Sequence, residues 1–146
     1  MLTARDEKRL AGVDARLVAV VRRAFELFAV SPRNKGYRLI VTEGVRTKDR
    51  QRQLYDQGRT KPGKVVTWTL SSKHIDGLAV DCAPAQLGFI PWTDIALFDL
   101  MGECFMRAAT ELSTDIRWGA DWDRDGIRRE KGESDSPHFE IAGGDA

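Results

Sequence analysis

A chain of 146 residues with a formal net charge of +1 is long enough to fold as one domain around a hydrophobic core. The near-neutral charge excludes a strong overall field, so we expect neither nucleic acid nor an anionic membrane surface as a partner. No apolar run approaches the ~18 residues of a membrane-spanning helix, and no secretory signal is visible at the N-terminus. We therefore expect a single domain over residues 1–146 that is made in the cytoplasm, does not insert into a membrane and is monomeric.

Hydrophobic spacing and turn residues predict the first elements. Apolar residues at helical intervals predict one amphipathic helix over about residues 6–30, which the Ser31-Pro32 pair ends. A β-branched and apolar run predicts a strand over Tyr37–Thr42. Thr47 is suited to cap a second helix over Asp49–Gln57.

Shorter strands dominate the rest of the chain. Strands are predicted over 65–69, 78–82, 115–118 and 138–141, with a loop over 83–91 and a helix over 93–112. The predicted buried face of this helix consists of Ile95, Phe98, Met101, Phe105, Ala108 and Leu112. Because strands and helices do not alternate as regular βαβ units, the pattern predicts an α+β fold with a small, mainly antiparallel sheet flanked by helices. The core of this fold is expected over about residues 37–141, after the helical N-terminal part.

The two cysteines, Cys82 and Cys104, are too few for a disulfide framework. Each lies among apolar residues, which is typical of a buried free thiol. We predict that both are buried and reduced, as in a protein made in a reducing compartment.

The chain has two histidines, and both lie in short polar stretches that predict a metal site on the sheet. His74, Asp81 and His138 supply two imidazoles and a carboxylate, a set with which a catalytic zinc keeps one position open for water. Asp81 lies in an apolar strand, where a carboxylate is costly to bury unless it is paired or bound to a metal. The alternatives are satisfied polar histidines and an ion pair between Asp81 and an arginine.

The second histidine has two acidic neighbours with different predicted roles. Pro137 is predicted to start the last strand, so His138 and Glu140 share one face. Asp135 lies three residues before His138, within reach of a metal-bound water without being a ligand, as a general base requires. Glu140 either orients His138 or faces solvent.

Two ordered motifs carry a resemblance to a known family. The first is Ser72-x-His74-x-x-Gly77-x-Ala79-x-Asp81 and the second is Asp135-x-x-His138-Phe139-Glu140. Together they resemble the LAS-type zinc peptidases, which include D-alanyl-D-alanine carboxypeptidases and phage L-alanyl-D-glutamate endopeptidases. Four runs are similar to the endopeptidase branch in particular: Glu43–Thr47, Gln51–Tyr55, Gln57–Thr67 and Trp118–Trp122.

The resemblance implies a function for several residues. It implies that His74, Asp81 and His138 bind Zn²⁺ and that Asp135 is the catalytic base. Arg46 matches the family's arginine that faces the scissile carbonyl; the alternative is a surface ion pair with Glu43 or Asp49. Ser72 matches a position beside the first ligand.

The implied reaction is hydrolysis of the L-alanyl-D-glutamate bond in the stem peptide of peptidoglycan. The resemblance implies a phage or prophage endolysin that is made in the host cytoplasm and released to the wall by a holin. One alternative is a D-alanyl-D-alanine carboxypeptidase, which would release free D-alanine. Another is a wall-binding module that keeps zinc without catalysis. The chain departs from the family at Ile75-Asp76, where an aromatic or Asn-Tyr pair is usual, and this departure bears on substrate fit.

Two further assignments stay open. Trp68 and Trp118 either line a substrate cleft or belong to the core. Asp121, Asp123 and Asp125 begin a D-x-D-x-D-G run typical of a calcium loop, but its twelfth position is Gly132 where a bidentate glutamate is expected.

Overall fold

The structure, a computed structural model, describes residues 2–60, 63, 73–121 and 135–142. Its helices are α1 (Ala4–Arg9), α2 (Ala15–Ala29), α3 (Lys48–Asp56) and α4 (Ile95–Glu111), and its strands are β1 (Arg38–Glu43), β2 (Ala79–Ala85), β3 (Ile116–Gly119) and β4 (Asp135–Ile141). Across these ranges, no helix has both the length and the apolar character to cross a membrane. The strand predicted over 65–69 lies outside the described residues.

One antiparallel sheet joins the four strands in the order β1-β2-β4-β3. The predicted α+β class with an antiparallel sheet is therefore confirmed. The central pair, β2 and β4, brings Asp81 directly opposite His138. Because side chains alternate between the faces of a strand, these two residues share one face of the sheet.

The other face of the sheet carries the hydrophobic core. Val80 and Cys82 of β2 and Phe139 of β4 are fully buried there together with residues of α2 and α4. The ring of Phe139 stacks between Phe105 of α4, at 3.8 Å between centroids, and Trp118 of β3, at 6.2 Å. Burial of this face fixes the strand register, so the polar face with Asp81 and His138 is fixed as well.

The single N-terminal helix predicted over residues 6–30 is wrong, because the structure has two helices there. Gly12 adopts a φ of +83°, which no α-helix contains, and Asp14 caps α2 by accepting from the Arg16 N–H at 2.8 Å. Leu10 and Val13 remain buried across the break. The apolar spacing therefore indicated which residues contact the core, but it did not indicate a continuous helix.

Two strand boundaries also differ from the prediction. β2 runs on to Ala85 through Pro84, which is tolerated because β2 beyond Asp81 pairs, within the described ranges, with β1 alone. β4 begins at Asp135 and not at Pro137, because Asp135 pairs with Gly119.

The predicted buried face of α4 is confirmed in the middle of the helix and wrong at both of its ends. Phe98, Met101, Phe105 and Ala108 are buried, as predicted. Ile95 is 56% exposed and Leu112 is 43% exposed, because they lie at the first position and the C-cap of α4, beyond the surface that α2 and the sheet cover. Cys82 and Cys104 are buried free thiols, as predicted.

Helix α1 lies against β1, which is an edge strand of the sheet that the described residues form. Asp6, fully buried, accepts from the Val41 N–H at 2.9 Å, and Arg9 donates to the Val41 carbonyl at 2.7 Å. These two side chains take the backbone hydrogen bonds that a neighbouring strand would otherwise take. The edge of β1 is therefore closed at Val41.

Candidate metal centre

His74, Asp81 and His138 come together on the polar face of the sheet. Asp81 projects from β2, His138 from β4, and His74 from the turn that precedes β2. The three facing atoms are nearly equidistant: His74 Nε2 lies 3.3 Å from His138 Nδ1 and 3.3 Å from Asp81 Oδ1, and His138 Nδ1 lies 3.2 Å from Asp81 Oδ1. These residues can hold a metal ion.

The second nitrogen of each imidazole has its own hydrogen-bond partner. His74 Nδ1 lies 2.9 Å from the Gly44 carbonyl oxygen, and His138 Nε2 lies 2.8 Å from Glu140 Oε1. Carbonyl and carboxylate oxygens only accept, so these contacts assign the proton of each neutral ring to the outer nitrogen. Three acceptor atoms then face one another at the centre, an arrangement that a cation between them satisfies.

The electrostatics of the cluster agree with a cation-binding centre. Burial alone would raise the pKa of Asp81, but hydrogen bonds with His138 and His74 hold it well below its usual range. Burial alone would lower the pKa of His138, but hydrogen bonds with Asp81 and Glu140 raise it to about 9. The carboxylate of Asp81 is thus ionised at neutral pH and favours positive charge on its neighbours.

Asp135 lies beside the three facing atoms but outside them. Its Oδ2 is 3.9 Å from His138 Nδ1, and its side chain is 56% exposed. Crowding by surrounding protein atoms and the negative charge of Asp81 raise the pKa of Asp135 above its ordinary value. A carboxyl group with these properties is able to exchange protons with water at the mouth of the site.

Arg46 lies next to the site, where its backbone N–H donates to the His74 carbonyl at 3.0 Å, and its side chain forms a network of hydrogen bonds. Its Nε and Nη2 donate to the two oxygens of Glu43 at 2.8 Å each, and its Nη1 donates to Gln51 Oε1 at 2.7 Å. The ion pair with Glu43, weighed above as an alternative, is therefore present, but it is not a surface pair because the Arg46 side chain is only 11% exposed. Burial alone would lower the pKa of Arg46. The negative charges of Glu43, Asp81 and Asp135 outweigh this effect, so the pKa of Arg46 is raised.

The remaining candidates fall into three groups. Glu140 is 8% exposed and contacts His138, which contradicts the solvent-facing alternative. Trp118 is 4% exposed and packs against Gly102 and Phe139, so it belongs to the core and not to a cleft. Four candidates lie outside the described residues: Ser72, Trp68, Asp123 and Asp125.

Three residues at the site were not singled out from the sequence. Gln51 is fully buried on α3 and holds Arg46. The Gly44 carbonyl orients His74, and Lys73 contacts Glu140 at 3.1 Å. Gln51 falls within a run that resembles the endopeptidases, which is the one signal that pointed to it.

Comparison with known proteins gives the same class of protein as the fold and the site. The chain is 36% identical over 141 residues to the L-alanyl-D-glutamate peptidase of Escherichia phage T5, covering 92% of this chain and 93% of that protein. It is 31% identical over 134 residues to the peptidoglycan L-alanyl-D-glutamate endopeptidase CwlK of Bacillus subtilis (strain 168), covering 88% of this chain and 75% of that protein.

Solved structures share the fold. The crystal structure of the L-Ala D-Glu endopeptidase ChiX from Serratia marcescens superposes with a TM-score of 0.70 at 29% identity, covering 96% of this chain and 88% of that one. The vancomycin resistance D,D-pentapeptidase VanY, solved as a mutant in complex with Zn(II), has a TM-score of 0.56 at 19% identity, covering 90% and 73% of the two chains. At 19% identity, the similarity to VanY shows a shared fold and nothing more.

The fold and the site define a peptidase-type α+β domain with a candidate metal centre on its sheet. The family model of the phage L-alanyl-D-glutamate peptidases matches residues 1–142. The chain belongs to this family, and the resemblance drawn from its motifs is confirmed. Of the three calcium candidates only Asp121 lies in the described part of the chain, and none of the relatives named here supports a calcium site.

Proposed function

We propose that this chain is a zinc-dependent endopeptidase that cleaves the L-alanyl-D-glutamate bond of peptidoglycan stem peptides. The observation that carries the proposal is the convergence of three acceptor atoms, from His74, Asp81 and His138, in a member of this family. Ligands at about 2.0–2.1 Å from a tetrahedral zinc lie about 3.3–3.4 Å from one another. The separations of 3.2–3.3 Å among the three facing atoms fit this requirement.

Asp135 is proposed as the group that moves the proton. A bound Zn²⁺ would supply a water of lowered pKa and polarise the scissile carbonyl. Asp135 accepts the proton of the attacking water and returns it to the leaving amine, so that the peptide is hydrolysed with no net gain or loss of protons. Its position 3.9 Å from His138 Nδ1 supports this role, because a water bound beside the three facing atoms would be within reach of its carboxyl group.

Arg46 is proposed to stabilise the oxyanion that forms on the scissile carbonyl. Three of its five N–H groups are used by Glu43 and Gln51, which hold the guanidinium in place. The other two N–H groups of a guanidinium held in this way would be available to a substrate oxygen, and donors fixed in advance cost no reorganisation during the reaction. The raised pKa keeps Arg46 charged throughout.

Mass spectrometry of purified peptidoglycan, digested with and without a zinc chelator, tests the proposal. We expect a chelator-sensitive cut that exposes the D-glutamate amine and leaves L-alanine on the glycan side. Free D-alanine would instead support the carboxypeptidase alternative. Zinc binding without any cut on walls of several bacteria would overturn the proposed activity in favour of a binding module.

We further propose that the enzyme acts as an endolysin that a holin releases to the wall. The relative in Escherichia phage T5 supports this role. Expression in the cytoplasm alone should leave cells intact, whereas co-expression with a holin should lyse them. Equal lysis in both cultures would contradict release by a holin.

A further inference from the structure

Lys73 links the two halves of the candidate metal centre. It immediately precedes His74, and its Nζ lies 3.1 Å from Glu140 Oε2. Glu140 uses its other oxygen, Oε1, to accept from His138 Nε2 at 2.8 Å. The residue next to one proposed ligand therefore holds the carboxylate that orients another.

The anchoring of Lys73 restricts it to this position. Its Nζ also donates to the Ile141 carbonyl at 2.9 Å, and its own carbonyl accepts from the Leu78 N–H at 2.8 Å. The Leu78 carbonyl accepts in turn from the Ile141 N–H at 2.9 Å. The side-chain Nζ of Lys73 is thus held by β4, and its backbone carbonyl is held by Leu78, the residue before β2.

The ion pair between Lys73 and Glu140 is less exposed to water than the ion pairs on the surface. The side chains of Lys73 and Glu140 are 23% and 11% exposed, whereas Lys35, paired with Asp94 at 3.0 Å, is 56% exposed. Exposed pairs are weak because water screens them and the side chains keep their freedom. A shielded pair that uses one oxygen of Glu140 restrains the carboxylate, whose other oxygen then restrains the imidazole of His138.

We propose that Lys73 is a positioning residue for the metal centre, acting through Glu140 on the ring of His138. The inference rests on the proposed zinc-peptidase function and adds to it a residue outside the proposed ligand set of His74, Asp81 and His138. Partners of this kind outside the ligand shell typically change metal affinity or activity by about 10–100-fold when mutated.

The sign of the effect separates positioning from simple charge. Removing a positive charge near a cation site should tighten cation binding on coulombic grounds. Loss of positioning should weaken it, because His138 must then be ordered when the metal binds. Weaker zinc binding by Lys73→Met therefore cannot arise from the lost charge.

Zinc affinity, measured by competition with a chromophoric chelator, is the primary test. We expect Lys73→Met to weaken zinc binding about tenfold and Lys73→Arg to restore most of it. Lys35→Met, which removes a lysine–carboxylate pair on the surface, is the matched control and should bind zinc as the wild type does. Thermal unfolding of each metal-free variant reports whether the fold is intact.

A double-mutant cycle tests the route through Glu140. In a Glu140→Gln background, Lys73→Met should cause little further loss, because the neutral amide no longer forms the ion pair through which Lys73 acts. Wild-type zinc affinity in Lys73→Met, or an undiminished effect in the Glu140→Gln background, would overturn the inference. Failure of the wild-type protein itself to bind zinc would instead count against the proposed function.

Discussion

Asp135 differs from the proposed ligands in its exposure to water. Its side chain is 56% exposed, whereas those of His138 and His74 are 11% and 2% exposed. A carboxyl group in this position reaches solvent and still lies beside the ligand cluster. Its raised pKa favours a residue that must both accept a proton and return it.

Asp135→Asn should therefore abolish most turnover and leave metal binding in place. We expect kcat on purified peptidoglycan to fall by about 10²–10⁴-fold, because the amide cannot accept the proton. Zinc titration of the same variant should match the wild type. Glu103→Gln, which removes a carboxylate paired with Arg33 on the surface, is the control and should leave kcat unchanged. Near-normal kcat in a zinc-loaded Asp135→Asn protein would remove Asp135 from the mechanism.

Gly44 contacts His74 through its backbone carbonyl, and there is no room for a side chain at this position. A Cβ at this position would lie 1.9 Å from the Arg9 carbonyl oxygen, which belongs to backbone and cannot rotate away. The carbonyl of Gly44 accepts from His74 Nδ1 at 2.9 Å, so displacement of Gly44 displaces the ring.

We expect Gly44→Ala to lower both stability and zinc affinity. Overpacking of this kind costs about 1–3 kcal/mol, measurable by urea denaturation, and the displaced carbonyl should weaken zinc binding in the chelator assay. Gly88→Ala is the control for zinc affinity, since its added Cβ meets nothing within 4 Å; its φ of +78° strains an alanine, so this variant should lose stability but bind zinc normally. A Gly44→Ala protein that loses stability but binds zinc normally would show that the carbonyl does not orient His74.

The structure brings His74, Asp81 and His138 together. The sequence predicted them because Asp81 is a carboxylate in an apolar strand and because both histidines lie in the two motifs that resemble the family. It did not reveal Lys73 or Gly44, because the first acts through strand register and the second through the approach of α1. Trp118 illustrates the same limit, since only the register of β3 places its ring on Phe139 and not at a cleft.

At the scale of elements, α1 serves the sheet through two side chains. Asp6 and Arg9 take the N–H and the carbonyl of Val41 on the edge strand β1. Asp6 also accepts from the N–H and the hydroxyl of Thr3, at 2.9 and 3.0 Å, so its buried carboxylate is fully used.

Asp6→Ala should destabilise the protein by leaving the Val41 N–H without its partner. An unsatisfied buried group of this kind costs about 1–3 kcal/mol. Hydrogen exchange at the Val41 amide should accelerate together with the loss in free energy of unfolding. Glu7→Ala, which breaks only the exposed pair with Arg22, should change stability by less than about 1 kcal/mol. Unchanged exchange at Val41 would show that α1 does not close this edge.

The break between α1 and α2 explains why the helical pattern misled at this scale. Periodicity records which residues touch the core, and Leu10 and Val13 touch it from within the turn. Gly12 and the capping residue Asp14 do mark the break in the sequence, but both signals are local and the apolar spacing outweighed them. β1, β3 and α3 were predicted to within one residue at each end.

At the scale of the whole molecule, the two thiols couple stability to alkaline pH. Burial, with a smaller contribution from Glu103, raises the pKa of Cys104 to about 11, and burial raises the pKa of Cys82 well above its ordinary value. In the unfolded chain the thiols ionise near their usual pKa of about 8.5. The unfolded state therefore loses these protons first as pH rises.

The free energy of unfolding should consequently be largest below pH ~8.5 and fall as the pH approaches ~11. Urea denaturation across this range measures the slope, and Cys104→Ala should lose the part of it that belongs to Cys104. In the native protein both thiols should react slowly with a thiol reagent at neutral pH. An identical slope in Cys104→Ala would show that Cys104 does not contribute.

The position of β4 in the chain has a consequence for the timing of activity. Asp81 and His138 are 57 residues apart in sequence, and His74 and His138 are 64 apart, yet they meet through the pairing of β2 with β4. The proposed general base Asp135, the proposed ligand His138 and the carboxylate of Glu140 that contacts it all belong to β4. A chain still emerging from the ribosome carries β1, β2 and the helices but no complete site. The proposed hydrolase therefore becomes competent only once β4 has been synthesised and has inserted between β2 and β3.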